Sequence, residues 1–148
     1  MLKVPSLKLI SCLILLLSSC DDDLITKIEK CSLVGEWKVV AYDSLGKKTI
    51  VVLPQDKIFI NFGEDGWISG NSSGLCHNGF SARYYLESSN LINIQNIFSS
   101  RAACPQSRYW QFLEVLDNVN RYKISDQLYL FNEKINTKIS LKRERLNE

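Results

Sequence analysis

Residues 105–118, PQSRYWQFLEVLDN, form the stretch of the chain whose apolar residues repeat at helical spacing. Pro105 suits the first turn of a helix, where its missing N–H would have no partner anyway, and Asp117 and Asn118 end the pattern. The stretch therefore predicts one helix of about three turns. Four apolar residues recur at i, i+3, i+4 and i+7 and define its buried face: Tyr109, Phe112, Leu113 and Leu116.

On both sides of this helix the sequence consists of short apolar runs separated by turn residues, which is typical of strands. Glu64-Asp65-Gly66 marks a hairpin between two of them. The predicted strands cover residues 37–42, 49–53, 58–62, 67–69, 80–86, 91–97, 122–124, 128–130 and 135–141.

These elements predict a mainly β fold with one α-helix, a small antiparallel β-barrel of about eight strands with the helix packed at one end. Closing the sheet would remove its exposed edges. The aromatic residues are expected to fill the core, although the same residues could instead form a groove for carbohydrate. The expected core aromatics are Trp37, Phe59, Trp67, Phe80, Trp110 and Phe112.

Length and composition limit the possible classes of protein. A chain of 148 residues is long enough for one domain, and 45% apolar with 23% charged residues is the balance of a globular protein. The net charge is +2 for the whole chain, and it falls to zero once a segment with Lys3 and Lys8 is removed. No nucleic acid partner is expected, because such binding needs concentrated Lys and Arg.

Residues 1–19 have the pattern of a bacterial export signal. Two lysines precede a nine-residue apolar core at residues 9–17, which is too short to cross a membrane because that requires ~20 apolar residues. The following residues 17–20, Leu-Ser-Ser-Cys, resemble a lipobox. In lipoproteins of this kind the cysteine thiol receives diacylglycerol, and the amino group freed by cleavage receives an acyl chain such as palmitate.

The lipobox predicts Cys20 as the lipidation site and divides the chain into parts. Residues 1–19 are the signal peptide, 20–31 a flexible tether beginning with three aspartates after Cys20, 32–142 the folded domain and 143–148 a C-terminal tail. The lipid would anchor the protein in the bacterial cell envelope. The outer membrane or cell surface is the favoured location and the inner membrane the alternative.

Three cysteines remain for the mature domain, because Cys12 leaves with the signal and Cys20 takes lipid. Disulfides form and persist in the oxidising compartment to which an export signal leads. We pair Cys76 with Cys104, both within the folded region, which leaves Cys31 free or bonded to another molecule.

A metal site or a thiol nucleophile at Cys76, His77 and Cys104 is the alternative use of these residues. Structural zinc usually requires four ligands in close pairs, and adjacent residues of an extended chain point in opposite directions. The disulfide is therefore preferred. We predict no metal, no cofactor and no catalytic residue, because the sequence has no nucleophile motif or paired carboxylates. The protein is not expected to be an enzyme.

The order of these elements resembles the META domain, the family of HslJ-like bacterial lipoproteins. The similarity extends over about residues 33–141, and six short blocks occur in the family's order. They are residues 33–37 (LVGEW), 58–62 (IFINF) with 65–66 (DG), 69–71 (SGN), 100–104 (SRAAC), 110–113 (WQFL) with Leu116, and 120–130. The family pattern runs from glycine-asparagine to cysteine-asparagine in fewer residues than here, where extra residues surround Gly74.

The resemblance implies a compact barrel-like domain with no agreed reaction and no cofactor. Asn71 and Asn78 are expected to hold a turn through side-chain hydrogen bonds rather than to contact a ligand. The implied function is that of a membrane-anchored, non-enzymatic envelope protein that binds or protects another envelope component in stress tolerance or secretion. The alternative is a small-ligand carrier with a lipocalin-like cavity. No ligand-binding residue is predicted.

Overall fold

A computed structural model of the chain describes residues 32–43, 48–73, 77–88, 90–100 and 108–144. The elements within these residues follow one another as strands, with a helix between the sixth and seventh. They are β1 Gly35–Asp43, β2 Thr49–Val51, β3 Lys57–Phe62, β4 Trp67–Ser73, β5 Asn78–Ser88, β6 Leu91–Ser99, α1 Arg108–Asn118, β7 Arg121–Ile124, β8 Leu128–Asn132 and β9 Thr137–Arg143.

The strands form one antiparallel sheet that closes on itself. Its order is β2-β1-β3-β4-β5-β6-β7-β8-β9, and β9 also pairs with β1. On its other side β1 pairs first with β3 and then, from Ala41 to Asp43, with β2. The ring therefore contains eight strands, with β2 beside the second half of β1. The prediction of a mainly β barrel with one helix is confirmed.

A β-bulge in β1 changes which of its side chains point inward. Trp37 and Val39 are buried, and the pairing with β9 then shifts between Val39 and Ala41. One extra residue reverses the alternation of a strand, so Tyr42 also points into the barrel. This places the Tyr42 ring at the end of the barrel where β1 ends.

The barrel has its shortest strand pairing between β6 and β7, and α1 packs beside β6 where this pairing is missing. In the described part of the chain these two strands pair only at Leu91 and Arg121. Beyond that pair, α1 packs beside β6 and also contacts β1, β8 and β9. The residues buried on the helix include the predicted apolar face: Tyr109, Phe112, Leu113, Val115 and Leu116.

Aromatic rings fill the barrel interior at this end. Phe112 is fully buried, and its ring meets the rings of Tyr42 and Phe80 edge to face at centroid distances of 5.7 Å and 5.9 Å. Phe80 of β5 is paired with Gly70 of the neighbouring strand β4, and a Cβ atom at Gly70 would overlap the Phe80 ring. Glycine is needed there because the ring occupies the space of its side chain.

Three of the expected core aromatics lie outside the core. Phe59 is only partly buried, because it takes an outward position of β3 between the buried Ile58 and Ile60, so its prediction as a core residue was wrong.

The other two are tryptophans on the surface. Trp67 is 38% exposed at an outward position of β4, with the Arg83 guanidinium carbon 3.9 Å from its ring centroid. Trp110 is 40% exposed because it lies outside the apolar face of α1. The prediction that both tryptophans are buried was therefore wrong. Their neighbours Ile68 and Tyr109 take the inward positions.

Two smaller predictions also need correction. Ile135, expected in the last strand, lies exposed in the turn between β8 and β9, which Asn136 completes at φ 49°. Asn71, expected in a turn, is an exposed residue of β4 opposite Gly79. No helix among the described residues is long and apolar enough to span a membrane.

The chain enters the barrel at the end opposite α1. There the Arg143 guanidinium donates hydrogen bonds to the carbonyls of Ser32 and Val34, and it lies 4.6 Å from the ring centroid of Trp37. The helix lies at the other end, where the hydroxyl of Tyr42 donates to the carbonyl of Arg108. The N-terminal segment and α1 therefore meet opposite ends of the barrel.

Candidate functional site: the groove between β6 and α1

The cysteines with predicted roles lie outside the described residues. This applies to Cys20, the lipidation site, to Cys76 and Cys104, the disulfide pair, and to Cys31. Lipidation and the disulfide therefore stay predictions. His77, part of the alternative metal or thiol site, is exposed just before β5.

A hydrogen-bond network connects the segments that flank Cys76 and Cys104. The carbonyl of Gly79 accepts from the Ser100 amide at 3.0 Å, the Ser99 hydroxyl at 3.2 Å and the Tyr109 hydroxyl at 3.2 Å. Asn78 is buried, and its side-chain oxygen accepts from the Ser100 hydroxyl at 3.4 Å. Asn78 therefore has a structural role that joins strands, and the start of β5, the end of β6 and the start of α1 are held together.

Three buried tyrosines donate hydrogen bonds from neutral hydroxyl groups to backbone carbonyls. The hydroxyl of Tyr42 donates to the Arg108 carbonyl at 2.8 Å, and that of Tyr84 donates to the Gly63 carbonyl at 2.7 Å. Burial raises the pKa of Tyr42 and of Tyr84 to about 12, and it also raises the pKa of Tyr109. Each hydroxyl therefore keeps its proton at neutral pH and supports structure rather than proton transfer.

A recess with a volume of about 520 Å³ lies between β6 and α1. Phe98 on the strand is 63% exposed and Trp110 on the helix is 40% exposed, so two aromatic rings line it in contact with solvent. The apolar side chains of Ile97 and Leu113 also line this recess. We call this recess the β6–α1 groove.

A second β-bulge turns Phe98 toward this groove. In the pairing of β5 with β6, Arg83 lies opposite Gln95 but Ser81 lies opposite Phe98, so β6 has one extra residue between them. Asn96 takes up this residue with a φ of 55°, a left-handed conformation that asparagine tolerates better than most residues. The alternation then reverses, which moves Phe98 from the inner to the outer face.

The helix supplies the other wall of the groove. Tyr109 is buried in the network described above, and its ring meets that of Trp110 edge to face at 5.4 Å. The contact fixes the aromatic ring of Trp110 beside the strand while leaving one side of it open. Trp110 is therefore held in place by packing rather than by burial.

The charged residues that line the groove within the described part of the chain are both acidic. Glu114 and Asp117 line it at four and seven residues after Trp110, on the same side of the helix, and both are exposed. No lysine or arginine lines it among the described residues. In the same part of the chain the observed salt bridge joins Arg108 to Asp56 and involves neither groove carboxylate.

A second recess, of about 370 Å³, lies over β7, β8 and β9 and is less suited to a partner. Two lysines, Lys123 and Lys138, and two acidic residues, Asp43 and Glu133, line this recess. The ammonium of Lys138 already lies 4.3 Å from the ring centroid of Tyr129. Its charges balance and one of its cations is occupied, so the β6–α1 groove is the stronger candidate.

The sequence contained a signal for one groove residue but not for the other. Trp110 falls outside the i, i+3, i+4, i+7 series, and that spacing alone places it on the exposed side of the helix. Phe98 continues the alternation of Ile92 and Ile94 and would be expected inside the barrel. Only the bulge at Asn96 places it outside.

One family model and two solved structures are similar to this chain. The sequence model of the META domain matches residues 31–145, which is most of the chain. A crystal structure of a DUF4847 family protein from Bacteroides vulgatus ATCC 8482 is similar with a TM-score of 0.58 at 16% identity, over 81% of this chain and 99% of that one. An uncharacterized protein from Bacteroides eggerthii DSM 20697 gives a TM-score of 0.48 at 19% identity, over 76% and 99%. No curated protein matches the sequence.

Proposed function

This chain belongs to the META domain family, and on that premise we propose that it is a lipid-anchored, non-enzymatic protein of the bacterial cell envelope. It binds another envelope component through the β6–α1 groove. The lipid anchor rests on the signal and lipobox that end at Cys20. The absence of an enzymatic role rests on the lack of a nucleophile motif or paired carboxylates in the sequence.

The exposure of Phe98 and Trp110 in one groove is the observation that supports binding. Soluble domains seldom leave neighbouring aromatic side chains in water, and such patches usually mark a binding surface. Tryptophan is also among the residues that contribute most to protein interfaces, because its large ring becomes buried. Phe98, at 63% exposed, would gain the most burial from a partner.

The position of the groove agrees with an anchor at the other end of the barrel. The chain enters next to Gly35, whereas α1 packs where β1 ends at Asp43. A tether of residues 20–31 would join the lipid to the entry end. The groove would then face away from the membrane, toward components of the envelope space.

The filled interior favours surface binding over a carrier function. A lipocalin-like carrier requires a cavity inside its barrel, and eight strands leave space for at most one small ligand. Here Phe112, Tyr42 and Phe80 pack ring against ring at one end, and Phe62 contacts Tyr84 at a centroid distance of 5.3 Å. These rings occupy the volume that a ligand would need.

The anchor predicts that Cys20→Ala produces an unacylated protein. Without the thiol, diacylglycerol has no attachment point, so the protein is expected either to keep its signal segment or to be released. Detergent partitioning and intact mass would be measured for the wild type and the variant, with Cys31→Ser as the control that keeps its lipid. A Cys20→Ala protein with the acylated mass would contradict the anchor.

The binding function predicts that one envelope component depends on Phe98. The full chain would be purified from gently solubilised envelopes, and its partners identified by mass spectrometry of proteins and small molecules. Phe98→Ser should lose a component that the wild type retains. Tyr85→Ser is the matched control, because Tyr85 is also an exposed ring on a strand, at 51%, but does not line the groove. The proposal fails when both variants retain the same components as the wild type.

A further inference from the structure

We propose that the β6–α1 groove recognises a protein segment in which lysine or arginine stands next to an apolar side chain. The inference rests on the proposed binding function and specifies the chemistry of the partner. It follows from the pairing of open aromatic rings with carboxylates that have no partner among the described residues.

The exposed aromatic rings of the groove favour a partner with an apolar side chain. Phe98 and Trp110 line the same groove, one from a strand and one from a helix, so an apolar side chain bound in the groove would lie near both. A purely charged ligand would leave these surfaces in water and gain little from them. An aliphatic or aromatic side chain displaces that water and gains hydrophobic free energy.

The two carboxylates of the groove favour a partner that also has a positively charged side chain. Among the described residues, Glu114 and Asp117 are the charged residues that line the groove, and they follow Trp110 along one face of the helix. A positive side chain of the partner would lie near both of them and near the electron-rich face of the Trp110 ring. An acidic partner would be repelled at the same place.

The position of these carboxylates in the helix strengthens the charge argument. They lie toward the C-terminal end of α1, and the last turn contains no basic residue. The C-terminal end of a helix has a partial negative charge, so acidic residues there are unfavourable and cations are favoured. A cationic partner would supply the positive charge that the helix lacks.

The test begins with random peptides displayed on phage and selected on the immobilised full chain in mild detergent. Selection is expected to enrich peptides in which Lys or Arg adjoins an aliphatic or aromatic residue. The most enriched peptide, made synthetically, should bind the Glu114→Lys/Asp117→Lys variant roughly tenfold more weakly than the wild type. Its affinity for the wild type should also fall as salt is added.

Two controls separate recognition in the groove from general attraction. The variant Glu64→Lys/Glu133→Lys has the same net charge as the groove variant but changes exposed acids elsewhere, and it should bind like the wild type. Phe98→Ser should lose binding, whereas Tyr85→Ser should keep it. Equal losses in both charge variants, enrichment of peptides without cations, or no enrichment at all would each overturn the inference.

The outcome can be separated from that of the proposed function. A component captured from envelopes in a Phe98-dependent manner would support binding through the groove whatever its charge. When that component is captured but the selected peptides contain no cations, the proposed function stands and this inference fails. A captured component that is a neutral glycan or a small molecule would likewise overturn the inference alone.

Discussion

Replacing Phe112 by alanine is expected to lower the free energy of unfolding by about 3–5 kcal/mol. The ring is fully buried and lies between the rings of Tyr42 and Phe80, so its loss leaves a cavity lined by two large side chains. Neither ring can fill it easily, because the Tyr42 hydroxyl is bonded to the Arg108 carbonyl and the Phe80 ring lies against Gly70. Urea unfolding followed by far-UV circular dichroism would measure the change.

The matched control is the same substitution at an exposed ring. Phe98→Ala removes the same atoms from a side chain that is 63% exposed, and it is expected to change the free energy of unfolding by no more than about 1 kcal/mol. Equal effects at the two positions would show that α1 does not close the barrel as described. A large loss at Phe112 with a small one at Phe98 would support both the packing of the helix and the accessibility of the groove.

The architecture was accessible to sequence reasoning where periodicity was unbroken. Helical spacing identified α1, because one face of a helix must be apolar to pack on a sheet. The hairpin predicted at residues 64–66 is present, and its Gly66 has a φ of 81°, a conformation that glycine adopts without strain. In both cases local chemistry and tertiary structure require the same residues.

Sequence reasoning failed where a bulge changed the alternation. Strand patterns assume that every second residue faces the same way, but β1 and β6 each contain an extra residue. In β6 the extra residue turns Phe98 outward, and in β1 it turns Tyr42 inward. Bulges depend on how two strands meet, and a single strand sequence does not reveal their partner.

The candidate groove was predictable only in part for the same reason. Trp110, Glu114 and Asp117 lie on the side of α1 away from its apolar face, which the helix pattern already defines. The aromatic partner across the groove required the bulge at Asn96. The groove also depends on the short pairing of β6 with β7, which leaves the rest of β6 free to pack against α1. The sequence of neither element predicts this arrangement.

A disulfide between Cys76 and Cys104 is expected to contribute about 2–5 kcal/mol to the stability of the folded domain. Both cysteines lie outside the described residues, but residues close to each of them in sequence are described. Gly79 follows Cys76 by three residues, Ser100 precedes Cys104 by four, and the Gly79 carbonyl accepts from the Ser100 amide at 3.0 Å. An extended chain covers about 3.3–3.6 Å per residue, so both cysteines are within reach of a common position near this bond.

Cys104→Ser should therefore lower the free energy of unfolding by that amount, and a reducing agent should have the same effect on the wild type and none on the variant. Cys31→Ser is the control, because the prediction leaves Cys31 outside the bridge, and its stability should match that of the wild type. Alkylation followed by peptide mass spectrometry without reduction would identify the bonded pair directly. A bridge from Cys31 to Cys76 or to Cys104 would contradict the pairing and would attach the tether to the folded domain. With either of those bridges, Cys31→Ser would lower the free energy of unfolding instead of leaving it unchanged. The hydrogen bonds at Gly79 would then hold β5, β6 and the start of α1 together without a disulfide between Cys76 and Cys104.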